Sequence, residues 1–194
     1  MLRLKLPTDK YWASLVENNL KEALIDHCFC EQKAASSAIS LIVTYPEYSD
    51  LVEAMSEVVL EEMQHFQQVH KRILSNGWAL DKEKKDLYVN ELRKFFNKTK
   101  DRKLNLVNRL LLSAMIEARS CERFRVLALT VKDKELADFY NELTKSEAGH
   151  YTLFLNFARK YGEGVINVEE TWQKFLKYEA EIIKNYGNSA LIHG

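Results

Sequence analysis

An all-α protein built on a four-helix bundle is the fold class predicted for this chain, on three observations. Pro occurs twice and Gly six times in 194 residues, so long stretches of Ala, Leu, Glu and Lys run without the residues that interrupt helices. Apolar positions recur in alternating steps of three and four, the period of a helix with one buried face. Glu-x-x-His occurs twice, at Glu62/His65 and Glu147/His150, 31 and 30 residues after a lone Glu on an otherwise apolar face, Glu31 and Glu117. Four carboxylates and two imidazoles from four helices are the ligand set of a carboxylate-bridged di-metal centre inside such a bundle.

The elements follow in order. Pro7-Thr8-Asp9 signals a helix start, with Thr8 as a cap, and a short helix over about Asp9 to Glu17. A long helix from Leu20 to about Thr44 should end at Tyr45-Pro46, because the residue before a proline is pushed out of the helical region. The next spans about Glu47 to Ser75 and stops at Asn76-Gly77. Asp81 is expected to cap a shorter helix through about Asn97, followed by a polar connector from Lys98 to Lys103. A second hairpin follows over about 104–130 and 134–160, closed by Tyr161-Gly162-Glu163-Gly164. A last helix from Val168 to about Tyr186 carries Trp172, Phe175, Leu176 and Ile183 and is expected to lie across the bundle. With no Ser/Pro/Gly-rich linker, residues 1–194 are expected to form a single domain.

The two hairpins duplicate each other at the site. The first face of one reads Leu24, Cys28, Glu31, Ala35, Ala38, Ile42, and that of the other Leu110, Ala114, Glu117, Cys121, Phe124, Ala128. The second faces read Leu51, Met55, Val58, Glu62, His65, Val69 and Leu136, Tyr140, Leu143, Glu147, His150, Phe154, so offsets of 86 and 85 residues relate the pairs. All four ligand carboxylates fall on stripes that face the core, where an unpaired buried charge costs several kcal/mol. Two divalent cations would neutralise them. Mixed carboxylate and imidazole donors suit iron, with manganese as the alternative. Glu-x-x-His puts both side chains on one helix face, so Glu62 and Glu147 are placed as bridging ligands and Glu31 and Glu117 as terminal ones. Glu61 and Glu122 break the spacing.

Other classes are excluded or left open by composition. Lys plus Arg and Asp plus Glu are both 28, so a nucleic-acid partner would have to meet a local patch. Arg93, Lys94, Lys98, Lys100, Arg102 and Lys103 form one, opposed by Asp101, and read either as phosphate contacts or as a solvated loop. Cys28, Cys30 and Cys121 give no C-x-x-C and no disulfide framework, and Cys28 and Cys121 read as small core residues. The fragment His27-Cys28-x-Cys30 lacks a second pair for a zinc site. No apolar run approaches the ~18 residues of a membrane span, and the N-terminus lacks the apolar run of a secretory signal. A cytoplasmic protein with no membrane contact is expected. Arg119 and Arg123 read either as supports of the site or as structural ion pairs. Tyr140 reads as packing, and Asp26 as a candidate partner for a metal-bound imidazole.

The strings Asp26-His27-Cys28-x-Cys30-Glu31-x-Lys33-Ala34-Ala35, Glu61-Glu62-x-x-His65-Phe66, Ile116-Glu117-Ala118-Arg119-Ser120-Cys121-Glu122-Arg123-Phe124 and Ser146-Glu147-Ala148-x-His150-Tyr151 resemble the tRNA hydroxylases of the MiaE family, over about Tyr11 to Tyr161. The Glu-Ala-Arg-Ser-Cys-Glu-Arg string is far more specific than Glu-x-x-His, which ferritin-like carboxylate proteins share. The resemblance implies a ferritin-like non-haem di-iron monooxygenase that uses O2 to hydroxylate the isopentenyl chain of 2-methylthio-isopentenyladenosine next to the anticodon in tRNA. Two iron ions, O2 as co-substrate and an external electron donor are implied. With no flavin, nicotinamide or iron-sulfur motif in the chain, the electrons should come from a separate reductase. The alternative is a ferritin-like di-iron oxidase acting on iron or on a lipid or aldehyde. A purely structural helical bundle is the non-enzymatic reading.

Overall fold

A computed structural model describes residues 2–83, 85–186 and 189–192. Among the described residues there are seven helices and no strand: α1 (Tyr11–Asn18), α2 (Leu20–Thr44), α3 (Ser49–Ser75), α4 (Leu87–Arg93), α5 (Arg102–Thr130), α6 (Lys134–Gly162) and α7 (Val168–Tyr186). The chain forms two compact units, one built from α2, α3 and Ala190–Ile192 and the other from α1 and α4 to α7.

In the smaller unit α2 stops before Pro46, with the Tyr45 N–H still donating to the Leu41 carbonyl at 2.9 Å. The short connection turns the chain back on itself. Cys28 meets Phe66 and Glu31 meets His65, so numbers fall on one helix as they rise on the other and the pair is antiparallel. Leu24, Leu41, Leu51, Met55, Val69 and Ile73 are buried, each removal of such a side chain from water contributing about 1.5–3 kcal/mol. The C-terminus of α3 closes through Trp78 N–H to the Ile73 carbonyl at 3.1 Å and Gly77 N–H to the Leu74 carbonyl at 2.9 Å. That double closure needs a left-handed residue, supplied by Gly77 at φ 73°. The Ile192 N–H donates to Asp26 Oδ2 at 2.7 Å, tying the chain's end to α2.

In the larger unit three helices begin on aspartates. Asp86 accepts from Val89 N–H, Asp101 from Lys103 and Leu104 N–H, and Asp133 from Leu136 N–H. Three expectations are corrected here. Asp81 caps nothing: it accepts from Lys82 N–H in an exposed loop, because the charged residues after it offer no apolar face, whereas Asp86 precedes Tyr88 and Leu92, both fully buried. Asp101 is not simply a counter-charge in a connector but the cap that starts α5 two residues before the expected Leu104. Thr8 is likewise drawn away from a capping role by Glu122, and Asp9 accepts from Tyr11 N–H at 2.9 Å instead.

Helices α5 and α6 pair antiparallel, Cys121 meeting Thr144 and Phe124 meeting Tyr140. Gly162 ends α6 where a side chain would not fit: a Cβ there would lie 2.3 Å from Val168 Cγ2. Helix α7 packs through aromatic rings on α6 and on the segment that follows α4, Phe95 stacking on Phe175 at 4.7 Å and Tyr151 tilted against Trp172 at 6.1 Å.

Candidate metal centre

Each antiparallel pair carries one triad of buried side chains that could hold a metal ion. On α2 and α3, Glu31, Glu62 and His65 are 4%, 0% and 8% exposed. His65 Nδ1 lies 3.5 Å from Glu62 Oε2 and 3.8 Å from Glu31 Oε2. On α5 and α6, Glu117, Glu147 and His150 are equally buried. Within each triad every residue offers one ligand atom, and those atoms lie within 4.8 Å of one another. The one-turn spacing of Glu-x-x-His aligns carboxylate and imidazole on one face, and the antiparallel pairing brings the lone Glu opposite them.

The donor set fits a divalent cation. Two carboxylates and a neutral imidazole carry a charge of −2 in a site that water does not screen. Without a metal, the first triad draws in a proton in its place. Burial alone would lower the His65 pKa, but hydrogen bonds and charge from Glu31 and Glu62 raise it to about 10. Burial likewise opposes ionisation of Glu31, yet hydrogen bonds from His27 and His65 hold it well below the usual carboxylate range.

The buried thiols of Cys28 and Cys121 lie outside both groups of side chains that could hold a metal ion. Burial pushes Cys28 up to about 12 and Cys121 to about 11, and each S–H donates across its helix pair, Cys28 to the Phe66 carbonyl and Cys121 to the Thr144 carbonyl. Tyr140 is fully buried, its ring 5.3 Å from those of Phe124 and Phe139.

One neighbour of the site was not expected from the sequence. His27 is fully buried, and its Nε2 is 2.6 Å from Glu31 Oε1. The signal was present in the four-residue spacing on a helix. It was hidden because His27 sits one position off the stripe that leads from Leu24 to Cys28. Asp26 accepts from the Ile192 N–H at 2.7 Å.

Arg119 and Arg123 are structural. Arg119, fully buried, donates to Glu179, Glu122, Thr8 Oγ1 and the Leu6 carbonyl, while the Arg123 guanidinium lies 4.8 Å over the Trp12 ring. Glu122 belongs to this network and not to the triad. Of the basic cluster, Arg93, Lys94, Lys98, Lys100 and Arg102 are exposed and Lys103 half-buried. Lys94 pairs with Glu91 at 2.5 Å. Phe95 and Phe96 fix the segment to α7 through Phe175.

No helix among the described residues is long and apolar enough to cross a membrane. In fold the chain is all-α and ferritin-like, as expected. It is similar over 98% of its length to a solved structure, Protein 43 with aldehyde deformylating oxygenase activity from Synechococcus, at a TM-score of 0.87 and 28% identity, covering 95% of that chain. It is 40% identical to the tRNA 2-(methylsulfanyl)-N(6)-isopentenyladenosine(37) hydroxylase of Pseudomonas putida, across 82% of this chain and 77% of that protein. The Salmonella typhimurium protein of the same name is 27% identical, across 93% of this chain and 83% of the relative. The family model described as tRNA-(MS[2]IO[6]A)-hydroxylase (MiaE) matches residues 2–194. With that match spanning nearly the whole chain, and with both buried triads lying inside it, the protein belongs to the MiaE family of tRNA hydroxylases.

Proposed function

We propose that this chain is an O2-dependent non-haem di-iron monooxygenase that hydroxylates the isopentenyl group of 2-methylthio-isopentenyladenosine next to the anticodon in tRNA. The observation that carries the reading is the pair of buried Glu, Glu, His triads, one on each antiparallel helix pair, in a chain matched end to end by a tRNA hydroxylase family. In this reading residues 1–194 act as one domain and the two triads serve one centre. Glu31, Glu62 and His65 from one pair and Glu117, Glu147 and His150 from the other would hold the two metal ions.

Two irons, when bound, supply the oxygen activation, one oxygen atom entering the C–H bond and the other leaving as water at the expense of two electrons and two protons. The protein's own groups do the rest. Four carboxylates balance the charge of two divalent ions. Small and apolar neighbours such as Ala35, Ala38, Ala114 and Phe124, all buried, keep water from the prenyl chain, so that the charges act at low dielectric. The electrons come from a separate reductase. Arg93, Lys94, Lys98, Lys100, Arg102 and Lys103 contact tRNA phosphates, and the enzyme works in the cytoplasm where tRNA is found.

The test is conversion of prenylated tRNA by iron-loaded protein with an artificial reductant, read by nucleoside analysis with and without O2. Hydroxylated nucleoside formed only with O2 is the expected result. The solved structure named for aldehyde deformylating oxygenase activity favours one second reading, an aldehyde substrate. Turnover of a fatty aldehyde with no change in tRNA would replace the first reading by the second.

A further inference from the structure

His27 stands outside both ligand triads yet is fully buried one helical turn before Glu31. A carboxylate oxygen only accepts, so His27 Nε2 carries the proton in the 2.6 Å bond to Glu31 Oε1. The other oxygen, Oε2, is the one that faces His65 Nδ1, at 3.8 Å. The two oxygens of Glu31 therefore have different partners. One is held by an imidazole N–H and one is turned into the ligand cluster. The 86-residue offset that carries Glu31 onto Glu117 carries His27 onto Ser113, a buried residue with no imidazole N–H to offer.

We propose that His27 is a positioning residue that commits Glu31 to bind its metal through Oε2 alone, and so makes the metal position at Glu31 chemically different from the one at Glu117. This rests on the di-metal reading above. Chelation by both oxygens of Glu31 would require breaking a charge-assisted hydrogen bond in a buried site. A donor to the outer oxygen also holds the carboxylate in one orientation, so that Oε2 is offered to the metal already placed, as neighbours of metal ligands generally do. The duplicated halves of the site thus supply the same ligand residues but not the same support for them. Such a difference gives the two positions unequal affinity, and it fixes which of them fills second.

Mössbauer spectroscopy of the full-length protein loaded with iron(II) tests this, with bound iron measured alongside. Two quadrupole doublets of equal area are expected for the wild type. His27→Met, which keeps bulk but no donor, should shift one doublet, leave the other, and weaken iron at that position about 10–100-fold. His27→Gln keeps an N–H donor and should return the wild-type pair. His27→Ala serves as a second donor-free variant if the Met chain does not fold. A single doublet for both wild-type irons, or a donor-free variant with an unchanged spectrum and full iron content, overturns the proposal. A wild type that binds no iron overturns the di-metal reading itself and this assignment with it.

Discussion

Arg119 and Glu179 are both fully buried, lie sixty positions apart, and meet with Nη2 2.7 Å from Oε1. Burial alone would lower the Arg119 pKa, but the Glu179 carboxylate raises it. Tyr88 donates to the same Glu179 oxygen at 3.1 Å, and the remaining guanidinium donors hold Glu122, Thr8 and the Leu6 carbonyl. Directly and through Glu179, Arg119 thus joins α5, α7, α4 and the segment before α1, starting two residues from Glu117.

Removing one partner of such a pair leaves a buried charge without its counter-charge. Arg119→Met should lower stability by about 3–5 kcal/mol, measured by denaturant unfolding. Arg119→Lys should recover only part of this, because an ammonium cannot span the positions that the guanidinium fork reaches. A loss below about 1 kcal/mol for Arg119→Met would mean that the network contributes little.

Glu117→Ala and His150→Ala each delete a proposed metal ligand. Both variants should remain helical by circular dichroism while iron falls well below the wild-type content and hydroxylation is lost. A full iron complement in either, by elemental analysis, would show that the deleted residue is not a ligand.

The His65 imidazole links the first triad to pH. Its folded-state pKa of about 10 lies above its ordinary value of 6.5, so the stabilisation by its proton is complete below about pH 6.5 and fades as pH rises through about 10. The melting temperature of the metal-free protein should fall across that window for this reason. Metal binding needs the neutral imidazole, so uptake there releases a proton and affinity should rise by up to about tenfold per pH unit. Titration with a divalent metal at several pH values reads this directly, and a flat affinity would remove His65 from the ligand set.

Charge reversal at Lys98, Lys100 and Arg102 should weaken tRNA binding and flatten its dependence on salt, each lost phosphate contact reducing the slope of log K against log salt by about 0.7–0.9. Iron content should stay at the wild-type level. An unchanged salt slope would place the binding surface elsewhere on the protein.

The chain by itself determined the helices and the candidate ligands, because both depend on spacing along one helix. The period that buries Leu24, Cys28 and Ala35 also places Glu31 among them, and Glu-x-x-His sets Glu62 beside His65 before any tertiary contact forms. Pro46 and Gly77 marked the ends of α2 and α3 through local backbone geometry alone. Tertiary structure decided whatever depends on what lies across from a residue. Asp86 prevailed over Asp81 as a cap because Tyr88 and Leu92 had a core to enter. Glu122 went to Thr8 and Arg119, Asp26 to the backbone of Ile192, and Arg119 to Glu179. Apart from Glu122 with Arg119, one turn apart on α5, these pairings join residues 60 to 166 positions apart. A charge of given sign can satisfy any opposite charge or donor that the fold brings near, so the choice is made by packing and leaves no periodic trace in the sequence.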